Sequence, residues 1–182
     1  KSPHATVRQS AAEALTKLKG QSVVAGSVEG PMGGKRPQPL PRNAKLIVVT
    51  EKGEYEVALF GDDAPMTSAN MFALARKGFF KNLTFHRVVP DFVAQGGDPR
   101  GDGNGGPGYT IRCEVNHRPY ARGVVGRALS GKDTGGSQFF VTAAPQPHLD
   151  GRYTAFGEVV KGQEVVDALL EGDKIVEVQA QP

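Results

Sequence analysis

Arg87 and Gln95 stand eight residues apart on two short runs that read as strands, among Phe85, Val88, Phe92 and Val93. Aligned on one barrel face, the pair places a guanidinium beside an apolar surface. A fixed charge in such a place can act on a bound group while water is kept away. A structural arginine paired with a surface acid fits the same residues, and the pattern alone leaves both open.

Other strings imitate chemistry without supporting it. Gly101, Gly103 and Gly106 satisfy G-x-G-x-x-G, but Pro107 and Gly108 follow, so no helix opens to meet a pyrophosphate. Seven glycines crowd the thirteen residues 96–108, which reads as a mobile loop. Gly126, Gly131 and Lys132 nearly spell a phosphate loop. Asp133 then stands where a magnesium-binding hydroxyl belongs and adds a negative charge. Asp98, Asp102 and Asn104 lack the loop spacing and bidentate Glu of a calcium site. Asn82-Leu83-Thr84 is a formal glycosylation sequon with no secretory context to support it. Cys113, the one cysteine, reads as an inert small residue and excludes intrachain disulfides and cysteine-based zinc sites.

The elements that must position Arg87 and Gln95 are mostly strands. Leu46–Thr50 is a buried-type apolar run, Glu51-Lys52-Gly53 a turn, and Glu54–Phe60 alternates, which together predict a hairpin. Asp62-Asp63-Ala64-Pro65 offers an N-cap and a first-turn proline. The helix that follows buries Met71, Leu74 and Ala75 and stops at Gly78. Further strands are expected at Thr84–Val88, Phe92–Gly96, Val124–Ala128, Gln138–Thr142, Ala155–Val160 and Lys174–Gln179, with a second helix at Gln163–Leu170. The fold class is therefore mainly β, a closed barrel capped by two helices.

The chain has 182 residues, 24 of them glycine and 13 proline, which suits one loop-rich domain better than a helical bundle. Its sequence pI of 9.0 arises in the first 43 residues, which carry a net +5, while residues 44–182 carry a net −2. A nucleic-acid-binding domain would hold its basic patch on the folded part, so no nucleic-acid partner is expected. No run of 18 apolar residues exists, so no membrane span is expected. A monomer is expected. One cysteine fits a reducing cytoplasm and leaves a bacterial periplasm open.

Three segments are expected: a helix within 1–19, a Gly/Pro-rich linker at 20–43, and a domain at 44–182. Thr6–Lys19 places Val7, Ala11, Ala14, Leu15 and Leu18 on one face. The wording from Pro3 to Leu15 resembles the second helix of a HEAT repeat, and an ordinary helix packing on the domain fits equally well. The start at Lys1 reads as a fragment of something longer.

Three blocks carry a wider resemblance. Phe85–Asp98, the run Gly135-Gly136-Ser137-Gln138-Phe139-Phe140-Val141-Thr142, and His148–Gly157 follow one another in the order and spacing of the cyclophilins. These are peptidyl-prolyl cis/trans isomerases, and the likeness runs from about Ala44 to Gln179. The short loops are more similar to the compact bacterial members.

The resemblance implies an eight-stranded antiparallel barrel with two capping helices. It implies that Arg87 is catalytic and that Gln95 supports it. It implies a proline pocket of Phe92, Val93, Phe140 and Leu149, a substrate-binding Gln138, and a neighbouring groove of Ala128, Leu129 and Ser130. Tyr153 stands where eukaryotic forms often have His and keeps an aromatic wall. Val93 replaces a common Met. His148 replaces the Trp of cyclosporin-sensitive members, so cyclosporin binding is expected to be weak. Strand alternation turns Phe139 into the core, and His86 is expected to face away from Arg87 in a structural hydrogen bond. The implied reaction needs no nucleophile, metal or proton acceptor, so no cofactor is expected. The implied partners are proline-containing polypeptides; a binding module with little catalysis is the alternative.

Overall fold

A computed structural model describes residues 40–182 together with Ser10, Ala12 and Ala14, which are helical. Apart from those three positions, the helix, HEAT-like repeat and linker expected at the N-terminal end lie outside the described residues.

Eight strands form one antiparallel, curled sheet. They are β1 (Lys45–Thr50), β2 (Gly53–Leu59), β3 (Arg87–Val89), β4 (Val93–Gly96), β5 (Val124–Arg127), β6 (Phe139–Thr142), β7 (Ala155–Lys161) and β8 (Ile175–Gln181). Their order is β3-β4-β6-β5-β7-β2-β1-β8. The two edges are stitched by the chain before β3: Asn82 N–H donates to the Ile175 carbonyl at 2.8 Å and Phe85 N–H to the Asp173 carbonyl at 2.9 Å. Bonds also return from Ile175 to Leu83 and from Gly172 to Phe85. The strand expected at Thr84–Val88 therefore divides, with Thr84 forming isolated bridges and the ladder beginning only at Arg87.

Alternation sorts side chains into two clusters. Leu46, Val48, Val57, Leu59, Ala94, Val125, Phe139 and Val141 point into the main core with Tyr55, Phe80, Phe85 and Phe156. Their neighbours Val93, Val124 and Phe140 point to the opposite face, where they join Tyr120, Leu149 and Ala155 in a second cluster. A period of two along each strand is all this division requires.

Helix α1 (Pro65–Arg76) lays Met71, Leu74 and Ala75 on the core. Its start departs from expectation, because the N-cap is Ala64 and no side chain caps it locally. The carboxylate of Glu114 supplies the missing acceptor. Met66 N–H donates to Oε1 at 2.8 Å, and Thr67 N–H and Oγ1–H donate to Oε2, each at 2.7 Å. The second helix, α2 (Gln163–Asp167), ends earlier than expected, with Ala168 as its C-cap. Among the described residues, no helix is long and apolar enough to cross a membrane.

Candidate active site

The second cluster is the floor of a hollow on the outer face of the sheet. Arg87, Phe92, Val93, Gln95, Ala128, Leu129, Phe140, Leu149 and Tyr153 line it, and its volume is about 100 Å³. A cavity of roughly 150 Å³ holds benzene, so this one suits a small saturated ring better than an indole. Phe140 forms the back wall, packed edge-on against Tyr153 at 5.7 Å and stacked on Tyr120 at 5.6 Å. Tyr120 is buried, which pushes its phenol well above the ordinary value, with Asp150 adding to the effect.

Arg87 and Gln95 are direct cross-strand partners in the β3–β4 pair, so both project to the same side. The exposed Arg87 guanidinium lies over the Phe92 ring, 5.5 Å from its centroid. Among the described residues it takes part in none of the six ion pairs, so the surface acid that a structural arginine requires is missing. Gln95 does not hold Arg87 by a side-chain hydrogen bond, as the expected supporting role suggests. It donates instead through Nε2 to Gln138 Oε1 at 3.1 Å. The guanidinium's own contact is with the aromatic face of Phe92.

Three of the expected site residues stand off the lining. Gln138 sits behind Gln95 and donates to the carbonyls of Gly103 and Gly105 at 3.0 and 2.9 Å. It thereby ties the glycine-rich loop to the hollow. Further hydrogen bonds tie the loop to itself. Buried Asp98 accepts N–H bonds from Arg100, Asp102 and Gly103. His148 stacks on Phe92 at 5.6 Å. Ser130 is exposed, its N–H bonded to Thr134 Oγ1 at 2.9 Å.

His86 differs from expectation. Both ring nitrogens are enclosed and have no hydrogen-bond partner among the described residues. Phe139 lies in the main core, edge-on to Phe80 and Phe85.

One supporting residue had no signal in the sequence. Gln146 donates through Nε2 to the Asp91 carbonyl at 2.7 Å. It thereby clamps the turn in which Asp91 takes a positive φ of 56° and delivers Phe92 to the rim. The contact spans 55 positions, and only the fold brings its ends together. Among the described residues there is no cluster of three side chains able to hold a metal ion.

Comparisons with known proteins show the family. The family model for the cyclophilin type peptidyl-prolyl cis-trans isomerases matches residues 45–181. A peptidyl-prolyl cis-trans isomerase of Synechococcus elongatus is 49% identical over 137 residues, covering 74% of this chain and 94% of the relative. Peptidyl-prolyl cis-trans isomerase B of Bacillus subtilis is 47% identical, covering 74% and 96%. A solved cyclophilin of Cryptosporidium parvum superposes with a TM-score of 0.71 at 29% identity, covering 76% of this chain and 97% of its own. That protein has also been solved in the presence of the dipeptide Ala-Pro. A barrel matched from its first strand to its last, with nearly half its residues shared with bacterial isomerases, places this chain in the cyclophilin-type peptidyl-prolyl cis/trans isomerase family.

Proposed function

We propose that the chain isomerises X–Pro bonds by seating the proline ring in the hollow and presenting Arg87 to the twisted amide. Family membership makes the chain a peptidyl-prolyl cis/trans isomerase. What is proposed is which residues do the work, and on what. The observation that carries the proposal is a guanidinium without an ion pair among the described residues, at the rim of a ring-sized apolar hollow.

Amide resonance sets a barrier of about 18–20 kcal/mol, and uncatalysed exchange takes tens to hundreds of seconds. Millisecond turnover asks for roughly 10⁴–10⁵-fold, or about 5.5–7 kcal/mol of transition-state stabilisation. When the bond twists, resonance is lost and the prolyl nitrogen gains a usable lone pair. An Arg87 N–H can donate to that lone pair only in the twisted state, so the interaction favours the transition state over either planar form. Phe92, Val93, Phe140, Leu149 and Tyr153 would hold the ring still while the preceding residue turns. Ala128, Leu129 and Ser130 would line its path. Gln95 and Gln138, paired with each other, would present polar groups to the substrate backbone and hold the loop beside it. The Ala-Pro dipeptide of the Cryptosporidium neighbour supports proline-containing polypeptides as the substrate class. The identity to bacterial isomerases supports the compact bacterial type.

Arg87→Ala tests the assignment in a proline-peptide exchange assay. The expected loss in kcat/KM is about tenfold or more, equivalent to at least roughly 1.4 kcal/mol, with an unchanged melting temperature because the side chain is exposed. Arg87→Lys is expected to recover little, since a point charge lacks the planar fork of donors. A wild-type exchange rate in Arg87→Ala overturns the role of Arg87. Saturable peptide binding by the wild type without accelerated exchange favours a binding module.

A further inference from the structure

The hollow is sized for a small saturated ring, and four prolines stand just ahead of the barrel, Pro31, Pro37, Pro39 and Pro41. Where the chain joins the domain decides which of them can reach it. Leu40 packs on the main core, and the Pro41 carbonyl accepts the Ala44 N–H at 3.0 Å. The Leu40–Pro41 bond is thereby fixed to the barrel.

A short path of contacts runs from that anchor to the hollow. The Leu40 Cβ lies 3.8 Å from the point a Gly61 Cβ would occupy. Phe60, the preceding residue, carries the Arg118 guanidinium over its ring at 4.2 Å. Two residues after Arg118, Tyr120 stacks on Phe140, the back wall, at 5.6 Å. Pro37 is three residues ahead of Leu40, and three residues span about 10 Å at most. The 4.2 and 5.6 Å steps alone use that reach, and Pro39 is nearer the anchor still. Pro31 is nine residues ahead, and nine extended residues span about 30 Å. Reach therefore singles out the Gly30–Pro31 bond.

The residues around that bond suit the passage. Gly30, which would turn while the ring is held, has no side chain to carry past Ala128 and Leu129. Gly26, Gly33 and Gly34 flank it, and glycine accepts the sharp backbone bends that entering and leaving a hollow require. A tethered bond also meets the hollow at an effective concentration on the order of millimolar.

We propose that Gly30–Pro31 is a substrate of the hollow in its own chain, so that the isomerase sets the rate at which its own N-terminal segment changes direction. The proposal rests on the hollow being the isomerisation site. A trans bond separates successive Cα atoms by about 3.8 Å and a cis bond by about 2.9 Å, so the two isomers aim residues 1–29 differently.

The test measures cis/trans exchange by NMR at the Gly30 and Met32 amides of the full chain. A free peptide of residues 26–36 gives the uncatalysed rate, and a separate proline peptide added to the chain reports on the site. Exchange at Gly30–Pro31 is expected within about a second, at least about 100-fold faster than the tens to hundreds of seconds of the free peptide. The rate should not change on tenfold dilution, and Arg87→Ala should slow it by the same factor as the separate peptide. Exchange at the free-peptide rate, while the chain accelerates the separate peptide, overturns the proposal and leaves the site standing. A bond locked in one isomer overturns it too, as does a rate that falls with dilution, which assigns the bond to other copies. Unequal factors in Arg87→Ala overturn it by placing the catalysis outside the hollow. Acceleration of neither bond removes the isomerisation site itself.

Discussion

In the proposed role, Arg87 would act by being free of ion pairs among the described residues. A cation paired with a carboxylate would have to break that pair before meeting an amide nitrogen, whereas resting on the Phe92 ring leaves its N–H groups outward at the cost of a weak contact. His148 stacks on the same ring and, by the resemblance, stands where cyclosporin-sensitive cyclophilins carry Trp. His148→Trp is accordingly expected to tighten cyclosporin binding about tenfold, the effect of one added indole donor and a larger ring at roughly 1–1.5 kcal/mol. Peptide exchange should change by less than about twofold, because the ring lies outside the hollow. Titration calorimetry against both proteins decides, and equal affinities would show that the missing indole is not what limits the drug. At this scale the sequence was legible where a motif or a strand period named the residue. Phe139 and Phe140 separate into core and hollow by alternation alone. The partner of Gln95 is not legible in the sequence, because a side chain that reaches Gln138 and one that reaches Arg87 share the same position and residue type. His86 was misjudged because polar rings are normally partnered, and here the nitrogens are enclosed without one.

Element by element, the site depends on long-range contacts that local rules do not encode. The Asp62–Pro65 run has the residues of a local N-cap, yet α1 takes its acceptor from Glu114 across 47 or 48 positions. Glu114→Ala leaves the Met66 and Thr67 N–H groups without that partner, for an expected loss of about 1–3 kcal/mol in urea unfolding. Glu114→Gln should recover part of it, since one amide oxygen can still accept. No difference between Glu114→Ala and wild type would mean that water serves the helix start as well. Gly126 sits on β5 where a Cβ would lie 2.3 Å from the Phe140 ring and 2.6 Å from the Tyr120 hydroxyl. Gly126→Ala is expected to destabilise by about 1–3 kcal/mol and to reduce exchange as well, because the residue forced aside is the back wall of the hollow. A stable variant with full activity would show that the wall can yield. Neither the remote cap nor the crowded glycine is visible as a pattern, since each is a property of two strands or loops meeting.

Across the molecule, the fold places three of the four tyrosines in different regions: Tyr55 in the main core, Tyr120 under the hollow, and Tyr109 against α1. The resemblance implies eight antiparallel strands and two helices, and the strand order that does this comes from the fold itself. Composition and alternation reach only a β barrel with two helices, because pairings between distant strands leave no local trace. Burial raises all three phenols, Tyr109 to about 12 and the other two further. Tyr55 and Tyr120 have no hydrogen-bond partner for their hydroxyls among the described residues, while Tyr109 donates to Asn70 Oδ1 at 2.6 Å. Unfolded phenols ionise near pH 10. Above that value the unfolded chain has lost protons that the folded chain retains, so the stability associated with neutral tyrosine is complete below about pH 10 and declines as pH rises. Each fully buried phenol removes up to about 1.4 kcal/mol per pH unit, and half-exposed Tyr109 removes less, its share ending near pH 12. The urea midpoint is therefore expected to be level from pH 8 to 9.5 and to fall steeply by pH 11. Tyr55→Phe should make that fall shallower while leaving the midpoint at pH 8 unchanged or higher, since it removes a buried hydroxyl that bonds to nothing. A level midpoint through pH 11, or an undiminished fall in Tyr55→Phe, would place the proton-linked groups elsewhere in the chain.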